Sequence, residues 1–427
     1  MPTSLLGPFP DDDGFDEAVR LDREDPLSGF RDHFSISDPD LIYLDGNSLG
    51  RLPEKTRDLV STVVDHEWGE RLIRSWNEGW WDLHVELGER LAPILGARQG
   101  EVIVSDSTSV NLFKLATAAL RARAGRGRIV TDDLNFPTDV YVLSGVAEAA
   151  DAHLEIVPSD GISGPVDGLE RAIDESTSLV SLSHTTFKSG YTYDLAEITS
   201  LAHRHGALML WDLSHSAGVV PIDLTGSGVD LAVGCTYKYL NGGPGSPAFL
   251  YVRAEAQSGL DNPIPGWWGH AEPFAFDLEF RPAEGIRRFH TGTMPVLSLT
   301  AIAGGLAAIE AAGVDRIRAK SVSLTEFLVT QWSRHLAPLG FGLASPREPA
   351  RRGSHVSLSH EAGWPIARAM VETAKVIPDF RAPDSIRLGL APLYTRHVDV
   401  HTAVQRIRRI VAERAHLAFG DSTAIVT

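Results

Sequence analysis

A lysine in a glycine-rich setting is the first residue of this sequence whose surroundings suggest chemistry. Lys238 ends the tripeptide Thr236-Tyr237-Lys238, and the small residues of Asn241-Gly242-Gly243-Pro244-Gly245 follow it. Most lysines are solvated surface charges, which is the alternative for any lysine taken alone. A lysine that is removed from water has a lowered pKa and can form a Schiff base with an aldehyde. The setting therefore predicts a nucleophilic amine.

An aspartate at the end of the preceding apolar run gives this amine a chemical partner. Asp212 directly follows Ala207-Leu208-Met209-Leu210-Trp211, and Lys238 follows the next apolar run. A helix N-cap is the alternative role for an aspartate at such a position. Pyridoxal phosphate requires both a lysine for its aldehyde and a carboxylate that keeps its pyridinium nitrogen protonated. The pair therefore predicts that this cofactor binds here.

Two helix starts supply the remaining parts of a cofactor site. Ser107-Thr108-Ser109 precedes a periodic apolar run, and the free N–H groups of a helix N-terminus favour a phosphate dianion. Phe136-Pro137-Thr138-Asp139 offers an aromatic face and a second carboxylate. Each tetrapeptide or tripeptide taken alone is also explained as ordinary capping, by Ser/Thr at the N-cap or by Pro at the first helical position.

The elements that must position these residues follow a regular alternation from about residue 98 onward. Short apolar runs alternate with helical patterns, which predicts a mostly parallel sheet with helices on both faces. In such sheets, ligands bind outside the carboxyl ends of the strands, where the polar residues named above all fall. The predicted strands are Val102–Val104, Ile129–Thr131, Leu154–Val157, Leu179–Ser183, Ala207–Trp211, Leu231–Gly234 and Phe249–Val252.

The two ends of the chain differ from this central pattern. The first 40 or so residues are acidic and interrupted by prolines, and we expect an arm that wraps another part of the protein or its partner. Beyond about Gly313, long helices and short strands predict a smaller α+β domain. We therefore expect a division into residues 1–60 (arm and part of the small domain), 61–312 (large cofactor domain) and 313–427 (C-terminal small domain).

Composition limits the remaining possibilities. The 427 residues carry a formal net charge of −17, which argues against a nucleic acid or an anionic membrane as partner. A single cysteine excludes an internal disulfide and any multi-cysteine metal centre, and the histidine spacing suggests no metal site. No apolar run is long enough for a membrane span, and Met1–Asp13 lacks the features of a secretory signal. We therefore expect a cytoplasmic protein.

Six motifs, taken in order, resemble those of the kynureninase family. A further segment near the N-terminus, Tyr43–Gly50, matches as well, so that the resemblance covers nearly the whole chain. The motifs are Thr108-Ser109, Phe136-Pro137-Thr138-Asp139, Trp211-Asp212-Leu213-Ser214-His215, Thr236-Tyr237-Lys238, Gly266-Trp267-Trp268-Gly269-His270 and Arg387-Leu388-Gly389-Leu390-Ala391-Pro392-Leu393-Tyr394. This family consists of pyridoxal-phosphate enzymes with the aspartate aminotransferase fold, known as fold type I.

The resemblance implies a role for each matching cofactor residue. Lys238 binds the cofactor covalently and moves protons, Asp212 pairs with the pyridinium nitrogen, and Tyr237 is the candidate general acid and base. The neighbouring subunit of a homodimer contributes Trp267 and Thr293 to the phosphate. The other implied cofactor-binding residues are Thr108, Ser109, Phe136, Asp139 and His215.

The resemblance also implies the substrate and the reaction. Arg387 clamps the α-carboxylate of L-kynurenine as a bidentate pair, while Asn47 and Ser48 line the substrate pocket. Hydrolysis then yields anthranilate and L-alanine, a step of tryptophan catabolism. Gly292 and Thr293 stand where some branches of the family carry Ser-Asn, which leaves open the preference between kynurenine and 3-hydroxykynurenine.

Structural roles are the alternatives for several of these residues. His215 is also explained as a satisfied structural histidine and Arg387 as the partner of a structural ion pair. Interface packing alone accounts for a tryptophan such as Trp267.

Three other functions compete with this one. A cysteine-desulfurase-like lyase or an aminotransferase shares the fold group, but a desulfurase needs a reactive cysteine on a mobile loop, whereas Cys235 lies on the lysine strand. A catalytically silent cofactor-binding protein does not explain why Lys238, Asp212 and Arg387 occur together. An NAD-dependent oxidoreductase requires a G-x-G-x-x-G run between an early strand and a helix, which is lacking.

Overall fold

The computed structural model describes residues 13–420. The expectation about the first residues of the chain, including Asp11 and Asp12, lies outside the described residues. Twelve α-helices lie within the described residues. Their bounds are α1 Asp13–Glu24, α2 Glu54–Thr62, α3 Leu83–Leu91, α4 Thr108–Ala122, α5 Pro137–Ala149, α6 Val166–Ala172, α7 Leu195–Arg204, α8 Ala254–Gln257, α9 Val296–Ala312, α10 Val314–Gln331, α11 Gly363–Ala374 and α12 His397–Ala412.

The strands form one large sheet and two small ones. The large sheet has seven strands in the order β2-β8-β7-β6-β5-β3-β4, and only β8 runs antiparallel to its neighbours. The strand bounds are β1 Ile42–Tyr43, β2 Val102–Val104, β3 Arg128–Asp132, β4 His153–Val157, β5 Thr177–Ser183, β6 Leu208–Asp212, β7 Leu231–Gly234, β8 Phe249–Val252, β9 Gly342–Leu343, β10 His355–Ser359, β11 Val376–Ile377, β12 Asp379–Arg381 and β13 Ser385–Gly389. The predicted α/β fold with a mostly parallel sheet is confirmed.

Helices cover both faces of the large sheet because its strands are apolar on both sides. Along β6, Met209 and Trp211 join the core on one face, while Leu208 and Leu210 join the core on the other. Successive side chains of a strand point to opposite faces, so an uninterrupted apolar run buries both. Because both faces of each strand are buried, polar side chains are accommodated where a strand ends, and there they can line a cavity.

A third core combines the two ends of the chain. Leu44 near the N-terminus packs with residues of α10, α11 and α12 around the small sheet, whose strand order is β12-β13-β10-β9. The strand β1 pairs in parallel with β11, so the N-terminal segment is joined to the C-terminal part by main-chain hydrogen bonds. The domain boundaries near residues 60 and 312 stay a prediction.

Two helices, α1 and α9, can be compared with the sequence patterns of the segments that form them. The N-terminal arm, for which no helix was predicted, contains the regular helix α1, and this helix packs against α12 near the other end of the chain. The apolar run Leu299–Ile309, which is too short for a membrane span, lies within α9, and its side chains at 299, 302, 306 and 309 are almost fully buried.

Within residues 13–420, no single helix is long and apolar enough to cross a membrane. The pair Val296–Ala312 and Val314–Leu339 reaches that length and apolarity only jointly, across a bend of 83°. Among the same residues, no three His, Cys, Asp or Glu side chains are grouped so as to hold a metal ion.

Candidate active site

The carboxyl ends of neighbouring parallel strands meet at one cavity of about 220 Å³. The strand β6 ends at Asp212, and β7 leads through Cys235 and Thr236 into the turn that carries Lys238. Side chains from the large sheet and from the two ends of the chain line the cavity together. They are Ser48, Thr108, Ser109, Phe136, Thr138, Asp139, Asp212, Ser214, His215, Tyr237, Lys238, Arg381 and Arg387.

The lysine amine lies against a histidine ring. Lys238 Nζ is 2.9 Å from His215 Nε2. Burial and then the charge of Lys238 hold the pKa of His215 well below its usual range, so the ring is neutral and its Nε2 can share a hydrogen bond with the Lys238 amine. The other ring nitrogen of His215, Nδ1, is buried and has no hydrogen-bond partner among the described residues. The histidine is therefore part of the cavity wall, with one nitrogen orienting Lys238.

Two carboxyl groups meet on the floor of the cavity. Asp139 and Asp212 are both almost fully buried. Burial, and then the charge and the hydrogen bond of Asp212, raise the pKa of Asp139 well above its usual range. Asp139 therefore keeps its proton and donates a hydrogen bond to Asp212, since two adjacent buried carboxylates would repel each other. The Ser214 N–H donates to Asp212 Oδ1 at 2.8 Å and fixes that carboxylate.

The N-terminus of α4 opens onto the same cavity. Ser107 is the N-cap, and its hydroxyl accepts from the Val110 N–H at 3.3 Å. The following residues, Thr108 and Ser109, line the cavity with the first turn of a helix that runs to Ala122. Because the cap is provided by Ser107, the hydroxyls of Thr108 and Ser109 and the positive end of the helix face the cavity and can hold an anion.

An aromatic ring and a phenol complete this end of the cavity. Phe136 precedes α5, is 39% exposed, and packs edge-on against Phe187 at a centroid distance of 5.3 Å. One ring face thus remains open to the cavity. Tyr237 is half-buried, and the neighbouring Cys235 thiol, followed by burial, raises its pKa. The Tyr237 hydroxyl therefore stays protonated at neutral pH and can donate a proton.

An arginine at the opposite end is held by groups from three separate segments. Arg387 on β13 is 1% exposed, and its guanidinium donates to Ser48 Oγ at 2.8 Å, while Nε donates to the amide oxygen of Asn47 at 2.8 Å. It also donates to the Phe187 carbonyl and forms an ion pair with Asp379. These contacts fix the orientation of the guanidinium, which is the side-chain group best suited to recognise a carboxylate.

Close approach of the N-terminal segment to β13 depends on a glycine. A Cβ at Gly389 would lie 1.7 Å from the Asn47 side chain, so a larger residue would displace that amide from Arg387. A second tie joins this segment to the lysine turn, since the Gly50 N–H donates to the Tyr237 carbonyl at 2.8 Å. The two ends of the cavity are thus bridged by residues 45–50.

Sequence reasoning missed three charged residues at the arginine end. Arg381 lines the cavity, and its Nε is 2.9 Å from Asp379, which also pairs with Arg387. Asp45 lies beside them, where burial, followed by the charge of Asp379, raises its pKa to about 6. The alternation of Asp379-Phe380-Arg381 was the available signal, because alternate residues of a strand share a face.

The structure brings together every predicted site residue except two. Trp267 and Thr293 line a separate aromatic cavity of about 570 Å³ together with Trp76, Trp81 and Phe274. Trp267 is 42% exposed there. These two side chains do not reach the cavity that contains Lys238 of the same chain.

The residues of the cavity fit pyridoxal phosphate by their chemistry. A ring nitrogen that carries a proton would relieve the Asp139–Asp212 pair, because a cation lets both carboxyl groups ionise. Lys238 provides the amine, the N-terminus of α4 provides anion-binding groups, and Phe136 provides a ring face. The orphaned His215 Nδ1 marks a polar position that a ligand group can satisfy.

Comparison with solved structures defines the class of fold. The chain superposes on a cysteine desulfurase from Thermococcus onnurineus NA1 with a TM-score of 0.75 and 18% identity, covering 92% of this chain and 98% of that one. C-DES, a cystine C–S lyase solved with glycine linked to its PLP cofactor, gives a TM-score of 0.75 at 18% identity over 90% and 97% of the chains. The chain thus has the fold of the type I pyridoxal-phosphate enzymes.

Comparison with curated proteins defines the family. The kynureninase of Burkholderia pseudomallei (strain 1106a) is 44% identical over 405 residues, which is 94% of this chain and 96% of that protein. The kynureninase of Pseudomonas fluorescens is 42% identical over 402 residues, or 92% and 95% of the two chains. The model of the kynureninase C-terminal domain matches residues 317–407. The chain belongs to the kynureninase family, and its cofactor is pyridoxal phosphate.

Proposed function

We propose that the cavity around Lys238 hydrolyses L-kynurenine to anthranilate and L-alanine. The observation that carries this proposal is the placement of an oriented, buried Arg387 in the same cavity as Lys238. An amino-acid substrate needs both groups, one for its α-carboxylate and one for chemistry at its α-carbon. Water supplies the oxygen that ends on the aromatic carboxyl group, and a proton replaces the broken Cβ–Cγ bond at Cβ.

Each end of the cavity has its own task in this proposal. Arg387 binds the α-carboxylate, and Asn47 and Ser48 keep the guanidinium aligned. The bound cofactor supplies an electron sink for the charge that develops on the substrate when bonds at its α- and β-carbons break. Asp212 holds the positive ring nitrogen of that cofactor, and Asp139 supports Asp212.

Proton transfers are assigned to two side chains of the lysine turn. Lys238 removes the proton from the substrate α-carbon, and the neutral His215 ring orients the amine for this step. Tyr237 supplies a proton from its hydroxyl at the γ-carbonyl side and is the candidate for activating the attacking water. The raised pKa of Tyr237 keeps its hydroxyl protonated at neutral pH, so the proton is present for transfer.

The cofactor phosphate is assigned to the N-terminus of α4. Thr108 and Ser109 contribute hydroxyl and N–H donors, and Phe136 stacks on the cofactor ring. These roles agree with the positive end of a helix of 15 residues pointing into the cavity.

A homodimer completes the proposed site. Trp267 and Thr293 lie outside their own chain's catalytic cavity, which agrees with delivery to a neighbouring subunit. Several large apolar side chains around them are exposed, as expected for a surface that a partner covers. They include Ile73 and Phe274, which line the same cavity as Trp267, and Phe276, whose ring centroid lies 6.3 Å from that of Phe274. Light scattering after size-exclusion chromatography tests this proposal, and a monomer at micromolar concentration would contradict it. We place the enzyme in the cytosol.

Incubation of the purified protein with L-kynurenine and pyridoxal phosphate is the direct test. We expect anthranilate and alanine in equal amounts, and no product with the Lys238→Ala variant. Pyruvate, sulfide or an oxo acid from other amino acids would instead favour a lyase or an aminotransferase. The desulfurase alternative is disfavoured by Cys235, because this residue is 2% exposed and its thiol lies 3.9 Å from the Ser214 carbonyl in the interior.

A further inference from the structure

A fully buried lysine lies inside the helix that carries the phosphate-binding residues. Lys114 on α4 has no solvent exposure, and its ammonium donates to the Asp106 carboxylate at 2.8 Å and to the Phe289 carbonyl at 2.7 Å. An ammonium is expensive to bury and is retained only where its donors are satisfied. The two contacts join α4 to the chain segment that leads to Thr293.

The aspartate of this pair lies directly before the helix. Asp106 has a φ of +49°, a left-handed conformation that is unusual for a residue other than glycine. Its carboxylate accepts from Ser105 Oγ at 2.7 Å and from Thr291 Oγ1 at 3.1 Å, in addition to Lys114. A strained backbone position that is fixed by three separate donors indicates that the carboxylate must stay in place.

The backbone carbonyl of Thr291 contacts the segment Gly266–Trp268. The Trp268 N–H donates to the Thr291 carbonyl at 3.3 Å. A Cβ at Gly266 would lie 2.1 Å from the same carbonyl oxygen, so the two backbones are in the closest contact that glycine allows. Movement of Thr291 therefore moves Trp267, which lies between Gly266 and Trp268, as well as Thr293.

The charges of Asp106 and Lys114 balance each other beside the N-terminus of α4. An unpaired carboxylate one residue before the N-cap of α4 would repel an anion bound at that helix end. Burial opposes ionisation of Asp106, but the charge and hydrogen bond of Lys114 outweigh it and lower the Asp106 pKa. The carboxylate is thus ionised and neutralised by Lys114, which lets it act as a fixed acceptor without weakening the anion site.

We infer that the Asp106–Lys114 pair is a positioning device that joins the phosphate-binding helix of one subunit to the Thr291–Thr293 segment serving its neighbour. The inference rests on the proposed homodimer with shared sites. Thr291 is the link that can be tested, because its hydroxyl contacts Asp106 while the ion pair, Ser105 and Phe289 hold the helix independently. Loss of that link should weaken cofactor binding in the neighbouring subunit.

The first experiment measures cofactor affinity in homodimers. Thr291→Val removes the hydroxyl with little change in shape, and we expect the dissociation constant for pyridoxal phosphate in equilibrium dialysis to rise about tenfold, the loss of one hydrogen bond to a charged group. Thr291→Ser keeps the hydroxyl and should restore the affinity. Thr56→Val is the matched control, since Thr56 Oγ1 donates to the Ala301 carbonyl at 3.3 Å in a different part of the fold.

The second experiment separates the two subunits. Mixed dimers are prepared in which one chain carries Lys238→Ala, so that only the other chain has a lysine to which borohydride can fix the cofactor. Thr291→Val is placed either on the Lys238→Ala chain or on the chain with the intact lysine. Cofactor fixed on the Lys238 peptide is then measured by mass spectrometry at increasing pyridoxal phosphate concentrations.

Only one arrangement should show a defect. When Thr291→Val is on the Lys238→Ala chain, the intact site receives the altered segment, and half-saturation should require about tenfold more cofactor. Equal curves in the two arrangements, or a defect confined to the other one, would overturn the inference and leave the proposed hydrolysis intact. Absence of kynurenine hydrolysis by the unaltered protein, or a monomer in solution, would instead overturn the proposed function and the inference with it.

If Thr291→Val does not fold, Thr291→Ala replaces it in the same mixed dimers. Alanine removes the hydroxyl that contacts Asp106 and leaves the Asp106–Lys114 ion pair intact. The same asymmetry between the two arrangements is expected, and its absence would contradict the inference.

Discussion

The cofactor end of the cavity takes its residues from short contiguous motifs, whereas the arginine end takes them from segments that are far apart in the sequence. Thr236-Tyr237-Lys238 and Phe136-Pro137-Thr138-Asp139 each deliver several side chains from one strand end. Ser48 and Arg387, which share a hydrogen bond of 2.8 Å, are separated by 339 positions. The first end depends on the large sheet alone, and the second requires that both ends of the chain pack together.

Because the two ends of the cavity are built differently, substitutions at each end should have different effects on the enzyme. A change at the cofactor end removes chemistry from a scaffold that is already rigid. A change at the arginine end disturbs a network of charges that holds the N-terminal segment, β12 and β13 in one arrangement. We therefore expect losses in turnover from the first end, and losses in substrate affinity and stability from the second.

The largest effect is expected from Lys238→Ala. Turnover of L-kynurenine should fall by at least about 10³-fold, because the amine that moves the proton is gone. Steady-state kinetics provide the measurement, and circular dichroism should show an unchanged fold. Lys55→Ala, at an exposed helix position, is the control. Substantial activity in the Lys238→Ala variant would refute the assignment of the cofactor end.

At the arginine end, Arg387→Lys should act mainly on substrate affinity. Lysine keeps the charge but cannot form the bidentate pair or satisfy Asn47 and Ser48 together, so kcat/KM should fall about 10²-fold, largely through KM. Arg368→Lys, whose arginine pairs with Glu372 on the surface, is the control. A fall in kcat at unchanged KM would show that the two ends do not divide their tasks in this way.

Asp45 should make stability depend on pH. Its pKa is about 6 in the folded protein and lower in the unfolded chain, so the folded state holds the proton more tightly and stability falls as the pH rises from about 4 to about 6. Asp45→Asn should therefore be more stable at pH 7.5 by about 2 kcal/mol, with no difference near pH 4. Urea unfolding at both pH values is the measurement, with the exposed Asp58→Asn as control. An equal difference at both pH values would contradict the prediction.

The smallest effect is expected from Ser48→Ala. Loss of one hydroxyl contact to Arg387 should raise KM about fivefold, which corresponds to about 1 kcal/mol. Affinity for pyridoxal phosphate should stay unchanged, since Ser48 belongs to the arginine end. Weaker binding of pyridoxal phosphate at an unchanged KM would show instead that Ser48 serves the cofactor end of the cavity.

The sequence was sufficient wherever an element and its function are encoded by neighbouring residues. Apolar runs followed by a polar residue located Asp212 and Lys238 at one sheet edge, because parallel strands place their carboxyl ends together. Ser107 fixed the start of α4, since a capping serine precedes a periodic run. The helix α1 was not predicted, and the helix that it packs against, α12, lies near the opposite end of the described chain.

What the sequence by itself determined is therefore the chemistry of the cavity, since residue type and strand position set which groups face it. Only the tertiary structure decided that Asp379 and Arg381 join Arg387. The physical reason is that buried charges are tolerated only beside partners that packing supplies. Those partners come from segments that are distant in the sequence, and no local sequence pattern predicts that such segments lie close together.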